Sequence, residues 1–235
     1  MHERVLSIPD ATDRGDLATF LTRVVRLDES AVVRFRQRGA GRLTVWAATG
    51  FDALAVRTVA GTITPDDTSA AGDQLLAALD AATTADIDPG FSMDSAWRGA
   101  LPPTEGFVHV DDVPARVLVD LAQRGAALAQ EHGSSHGPPA SLLDQEVLQV
   151  HGAEQSVGIP MRVVFALTAM GFVPQAGSDR LTADVDPERI DASELVRVRA
   201  TGSWLRVDAR FGSIYRHRGG GIPLSVARSG SSAGP

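Results

Sequence analysis

Cysteine, lysine and asparagine are all missing from these 235 residues. Without cysteine there is no disulfide, no thiol nucleophile and no cysteine-ligated metal site. Without lysine there is no Schiff base, no lysine general base and no Walker-type phosphate loop. All 22 basic residues are arginine. Codon usage in a GC-rich genome accounts for this set, so the absences limit the chemistry without disclosing it. Long apolar runs are missing as well: none approaches the roughly 18–20 residues that a membrane span needs. The opening Met1-His2-Glu3-Arg4 carries an acid and soon meets Pro9 and Asp10, unlike a signal peptide. A cytoplasmic protein with no membrane partner is the expectation.

What is present is an ordinary globular composition, 43% hydrophobic and 22% charged, sufficient for one large domain or two small ones. The formal net charge of −7 opposes bulk attraction to nucleic acid or an anionic membrane.

Periodicity gives the outline. Val5 to Ile8 reads as a short strand. Leu17, Phe20, Leu21, Val24 and Val25 then recur at helical spacing behind the acids of Asp10 to Asp16, which suit a helix N-terminus. Ala31 to Arg36 and Leu43 to Ala48 are strand-like around the turn Arg38-Gly39-Ala40-Gly41. Leu54 to Ile63 is a third strand, and Thr68 to Ala82 reads as a helix. Residues 83 to 105 change character, with turn formers and little period. Beyond them come a strand at Phe107 to Val110, a helix opened by Asp111-Asp112-Val113-Pro114 and running to about His132, and an ambiguous Ser141 to Val150. A helix follows from Pro160 to Gly171, and then a hairpin, Leu195 to Thr201 with Trp204 to Phe211. The expected class is α+β, in two small α/β lobes. Residues 1–90 form an N-terminal domain, 91–105 an ordered loop or linker, 106–220 a C-terminal domain and 221–235 a flexible tail.

Catalytic signatures are weak. Glu131, His132 and His136 sit near one another without a further ligand or a rigid frame, so helix-end solvation explains them better than a metal. His109 reads as a half-exposed strand residue; His151 and His217 offer no partner by spacing. Gly133-Ser134-Ser135-His136-Gly137 is not a strand–elbow–helix serine motif. Gly39-Ala40-Gly41 lies between strands and lacks the third glycine of a dinucleotide loop, and Gly219-Gly220-Gly221 leads into no helix. The acid groups Asp66-Asp67, Asp86 with Asp88, Asp111-Asp112, and Asp184 with Asp186 and Glu188 match no calcium loop, and most fall beside helix starts or prolines, where capping explains them. No catalytic residue, metal or cofactor is assigned.

Two features stand above this background. Asp94, Trp97 and Arg98 fall in the connecting segment, where a tryptophan either plugs the core or marks a partner surface. The plug is the commoner outcome. Arg197, Arg199, Arg206 and Arg210 alternate with apolar residues on the hairpin, which puts them on one face as a candidate anion or nucleic-acid strip. A solvated face balanced by Asp208 and other acids is the plainer alternative. The order helix, connection, helix, hairpin is also that of a winged helix, although only Arg162 is basic on the helix that would read bases.

The stretches Asp94-Ser95-Ala96-Trp97-Arg98-Gly99-Ala100-Leu101-Pro102-Pro103 and Pro160 to Val173 resemble parts of an uncharacterised actinobacterial protein family of unknown function. Trp204-Leu205-Arg206-Val207 and Gly212-Ser213-Ile214-Tyr215 are similar to its closing hairpin. That resemblance implies an intracellular actinobacterial protein and brings no activity with it. The expectation is a non-catalytic interaction or regulatory protein whose partner is another protein, or a second copy of itself. Nucleic-acid binding through the hairpin is the second reading, disfavoured by net charge, and a hydrolase with a scattered site is the third.

Overall fold

The computed structural model describes residues 4–132, 138–152, 155–174 and 186–219. The expectations placed on His136 and its glycine loop, on Asp184 and on the segment after Gly219 lie outside those residues.

The first lobe runs β1 (Val5–Ser7), α1 (Ala11–Leu27), β2 (Val32–Arg38), β3 (Arg42–Ala48), β4 (Leu54–Ala60), β5 (Thr62–Thr64), β6 (Asp67–Ala71), α2 (Gly72–Ala81) and β7 (Asp86–Ile87). Asp10 caps α1, its carboxylate accepting from the Thr12 and Asp13 amides at 2.7 and 3.1 Å. Leu17, Phe20, Leu21 and Val24 turn inward, as their spacing predicts. The expected third strand breaks at Gly61, where a side chain would strike the Ser7 carbonyl oxygen. The helix expected from Thr68 begins four residues late. Thr68 and Ser69 are buried in β6, paired with Phe35 and Arg34 of β2, so sheet pairing overrides the local helical reading.

The second lobe runs β8 (Val108–Pro114), α3 (Ala115–His132), α4 (Ala140–Asp144), β9 (Glu146–Gly152), β10 (Gln155–Pro160), α5 (Met161–Ala169), β11 (Leu195–Ala200), β12 (Trp204–Ala209) and β13 (Gly212–His217). Ser141 to Val150 does pass from a short helix into a strand. The sequence reading had not separated β10 or β13.

One sheet of eight strands, ordered β6-β2-β3-β4-β13-β12-β11-β8, runs through both lobes. The lobes join where β13 pairs with β4, Ile214 opposite Ala55 and Tyr215 opposite Leu54. Helix α1 lies against α2, and α3 against α5. The main core lies on the helix side of the sheet and is continuous from Leu17 and Phe35 to Leu118, Leu167 and Val207.

The winged-helix reading is corrected here. In α5, Met161 and Val163 to Thr168 are all buried, which leaves no face to enter a groove. A helix that is apolar all round belongs to a core. The β11–β12 hairpin is no free wing either, because β8 and β13 flank it inside the sheet.

Candidate functional site

The segment between the lobes is a strap across the sheet's outer face. Its first anchor closes the free edge of β6. The Met93 amide donates to the Ser69 carbonyl oxygen at 3.0 Å, and the Ser69 amide donates back to the Asp94 carboxylate at 2.5 Å. Arg4 adds bonds to the Ser69 carbonyl oxygen at 2.7 Å and the Thr68 hydroxyl at 2.9 Å. An open strand edge invites pairing with another chain, and these bonds occupy it. Burial raises the cost of charge on Asp94, but hydrogen bonds from Ser92 and Ser69 and the charge of Arg4 outweigh it and hold the carboxyl below its usual range.

The second anchor is aromatic. Trp97, Leu101, Phe107 and Trp204 pack on a small outer core of Trp46, Leu54, Val56 and Tyr215. Trp46 and Tyr215 sit 5.1 Å apart between ring centroids, and Phe107 meets Tyr215 edge-on at 5.6 Å. The indole NH of Trp97 donates to the Gly99 carbonyl oxygen at 2.6 Å. Burial pushes the Tyr215 hydroxyl's pKa up. Asp94 and Trp97 thus hold the strap down, while Arg98 beside them is exposed, as is Phe91 at 86%.

Arg197, Arg199 and Arg206 fall on one face of the sheet while Arg210 sits in the turn beyond β12, and acids from three places meet them. Arg197 pairs with Asp112 of β8 at 3.0 Å. Arg199 and Arg206 share Asp208, the latter at 2.7 Å, and Ser213 donates to the same carboxylate at 2.6 Å. Arg210 pairs with the buried Glu194. Arg206 also lies over the rings of Tyr215 and Phe107, at 5.3 and 5.8 Å from their centroids. Hydrogen bonds from Arg197, joined by His109 at 3.0 Å, hold the Asp112 carboxyl below its ordinary range against a small burial cost. Asp208 was visible on the hairpin. Asp112 and Glu194 reach the strip through folding, and no signal in the sequence pairs them with it. Arg216 falls opposite Leu205, on the other face.

Among the described residues, no group of three His, Asp or Glu is placed to hold a metal. Two cavities of about 520 Å³ remain. One is apolar, lined by Phe51, Phe165, Ala126, Ala129 and Pro138 with Arg26 among them. The other is polar, between β13 and the β9–β10 hairpin, and includes Arg216, Arg218 and Glu146.

Residues 1–99 match the family model of a domain of unknown function, DUF8010, and residues 102–221 match that of a second, DUF8185. No curated protein matches the chain. Solved structures share its fold at low sequence identity. The sliding clamp of DNA polymerase from Pseudomonas aeruginosa, with ligand, is 12% identical at a TM-score of 0.54, covering 95% of this chain and 66% of its own. Pol III beta of Caulobacter crescentus is 12% identical at a TM-score of 0.55, covering 94% and 66%. The DnaN sliding clamp from Bartonella birtlesii, bound to griselimycin, is 13% identical at a TM-score of 0.53, again covering 94% and 66%. The chain spans just under two thirds of the length of each of these clamp chains.

Proposed function

The chain belongs to the DUF8185 family, a domain of unknown function, through residues 102–221, and from that premise we propose that it is a non-catalytic scaffold that binds another protein. The observation that carries this reading is the sliding-clamp fold, matched over 94% of the chain. In this reading residues 1–90 and 106–220 are the two lobes and 91–105 the strap that joins them. The same proposal keeps the cytoplasm as its location and an actinobacterium as its source.

The partner surface is the strap, where Arg98 and Phe91 are exposed beside firmly anchored neighbours. A rigid base under exposed groups favours binding, since little ordering remains to be done on contact. Nucleic acid is the second reading, favoured by the DNA polymerase clamps that share the fold. Against it stand the net charge of −7 and the acids beside all four hairpin arginines. Phosphate contact requires cations free to displace the counterions condensed on the nucleic acid.

Tagged protein is captured from native lysate with and without nuclease, alongside the Phe91→Ala/Arg98→Glu double variant. A stoichiometric protein that survives nuclease and is lost with the variant supports the reading. Capture that disappears with nuclease, together with duplex binding that weakens steeply with salt and is abolished by reversing Arg206 and Arg210 to glutamate, would replace it with the second.

A further inference from the structure

The polar cavity of about 520 Å³ between β13, the end of α4 and the β9–β10 hairpin holds charges that the fold leaves incompletely met. Asp144 is engaged by Arg162. Arg216 is not so well placed. Its Nη2 lies 3.6 Å from Asp52 and 3.9 Å from Asp144, and its Nη1 reaches the His217 carbonyl oxygen only at 3.4 Å. Its Nε is buried with no partner. Arg218 donates to the Thr201 carbonyl oxygen at 2.7 Å and forms no ion pair among the described residues. The Glu146 carboxylate lies tight against Gly158, in the space a side chain there would fill, and has no ion-pair partner among the described residues.

An unmet buried donor costs about 1–3 kcal/mol, and more when charged. Arg216, with its buried Nε unmet, and the half-buried Arg218 therefore line one cavity with Glu146, an exposed carboxylate that has no ion-pair partner among the described residues. A cavity of this volume suits a compact ligand, and Gln149 and Ser156 add neutral hydrogen-bonding groups.

We propose that this cavity binds a small zwitterion, a free amino acid or dipeptide, with its carboxylate on Arg216 and Arg218 and its ammonium group on Glu146. A bare anion would satisfy the arginines but sit in the field of Glu146. A ligand that carries both charges satisfies all three groups. This site is independent of the strap and of the scaffold reading.

The test is thermal unfolding of the full chain with each of the twenty amino acids and glycylglycine at about 10 mM, since a ligand of the folded state raises Tm. Sodium acetate, sodium phosphate and ammonium chloride are the single-charge probes. At least one zwitterion should raise Tm in a dose-dependent way, while the single-charge probes do not. Arg218→Gln and Glu146→Gln, each folded by circular dichroism, should weaken that binding about tenfold or more. No shift with any zwitterion overturns the proposal, as does a shift unchanged in both variants. Acetate or phosphate acting as strongly as any zwitterion, with Glu146→Gln silent, also overturns it and leaves a plain anion site.

Discussion

Arg162 of α5 donates from Nη1 to the Phe51 carbonyl oxygen at 3.2 Å, which ties the second lobe's core helix to the β3–β4 turn of the first. Its side chain is only 12% exposed, and it also engages Asp144. On the sequence this arginine was the one basic residue of a supposed reading helix; in the fold it is a fastening beside the seam where β4 meets β13. Arg162→Ala should cost about 1–3 kcal/mol. Amide exchange in β4 and β13 should quicken more than in β2, and equal quickening throughout would mean that the seam opens only with global unfolding.

Trp97→Ala uncovers the outer aromatic core and should lower stability by about 2 kcal/mol, less than for a fully buried tryptophan because Trp97 keeps some exposure. Arg98→Ala should stay within about 0.5 kcal/mol. Denaturant titration of both variants checks the contrast. Equal midpoints would show that the strap does not depend on its indole.

Asp94 gives a pH signature. Its carboxyl titrates lower in the folded chain than in the unfolded one, where the ordinary value is about 3.9. A lowered folded value means the stabilisation is complete above that ordinary value and drains away as pH falls through the folded one. Asp94→Asn should therefore destabilise the protein at pH 7 and matter less at pH 3. Parallel stability curves for the two proteins between those values would refute the assignment.

Gly152 ends β9 where the Val110 carbonyl oxygen of β8 occupies the space a side chain would take. Since backbone cannot swing aside, Gly152→Ala should cost about 2 kcal/mol or more. Gly50→Ala, at a position with nothing nearby, is the control and should be close to neutral. Thermal midpoints of the pair decide it.

Most of the helical elements were legible because each rests on its own spacing. Leu17 to Val24 show an inward stripe, and Val163 to Met170 an apolar run broken only by Thr168, with no help from elsewhere. The alternation of Val196, Val198 and Ala200 with Arg197 and Arg199 likewise placed the arginines on one face. The strand at Asp67–Ala71 was missed because Thr68 and Ser69 carry no local strand pattern, and only pairing with Arg34 and Phe35 extends them.

By itself, then, the sequence determined the class, the faces of the main helices, and the chemistry excluded by having neither cysteine nor lysine. Those depend on residue type and on spacing within one element. Tertiary structure alone decided that β13 would meet β4 and run one sheet through both lobes. It alone brought Asp112 and Glu194 to neutralise the arginines, and left Arg216, Arg218 and Glu146 around one cavity. Such pairings join residues far apart in the chain, and charge is balanced by what lies across the sheet, which local sequence does not encode.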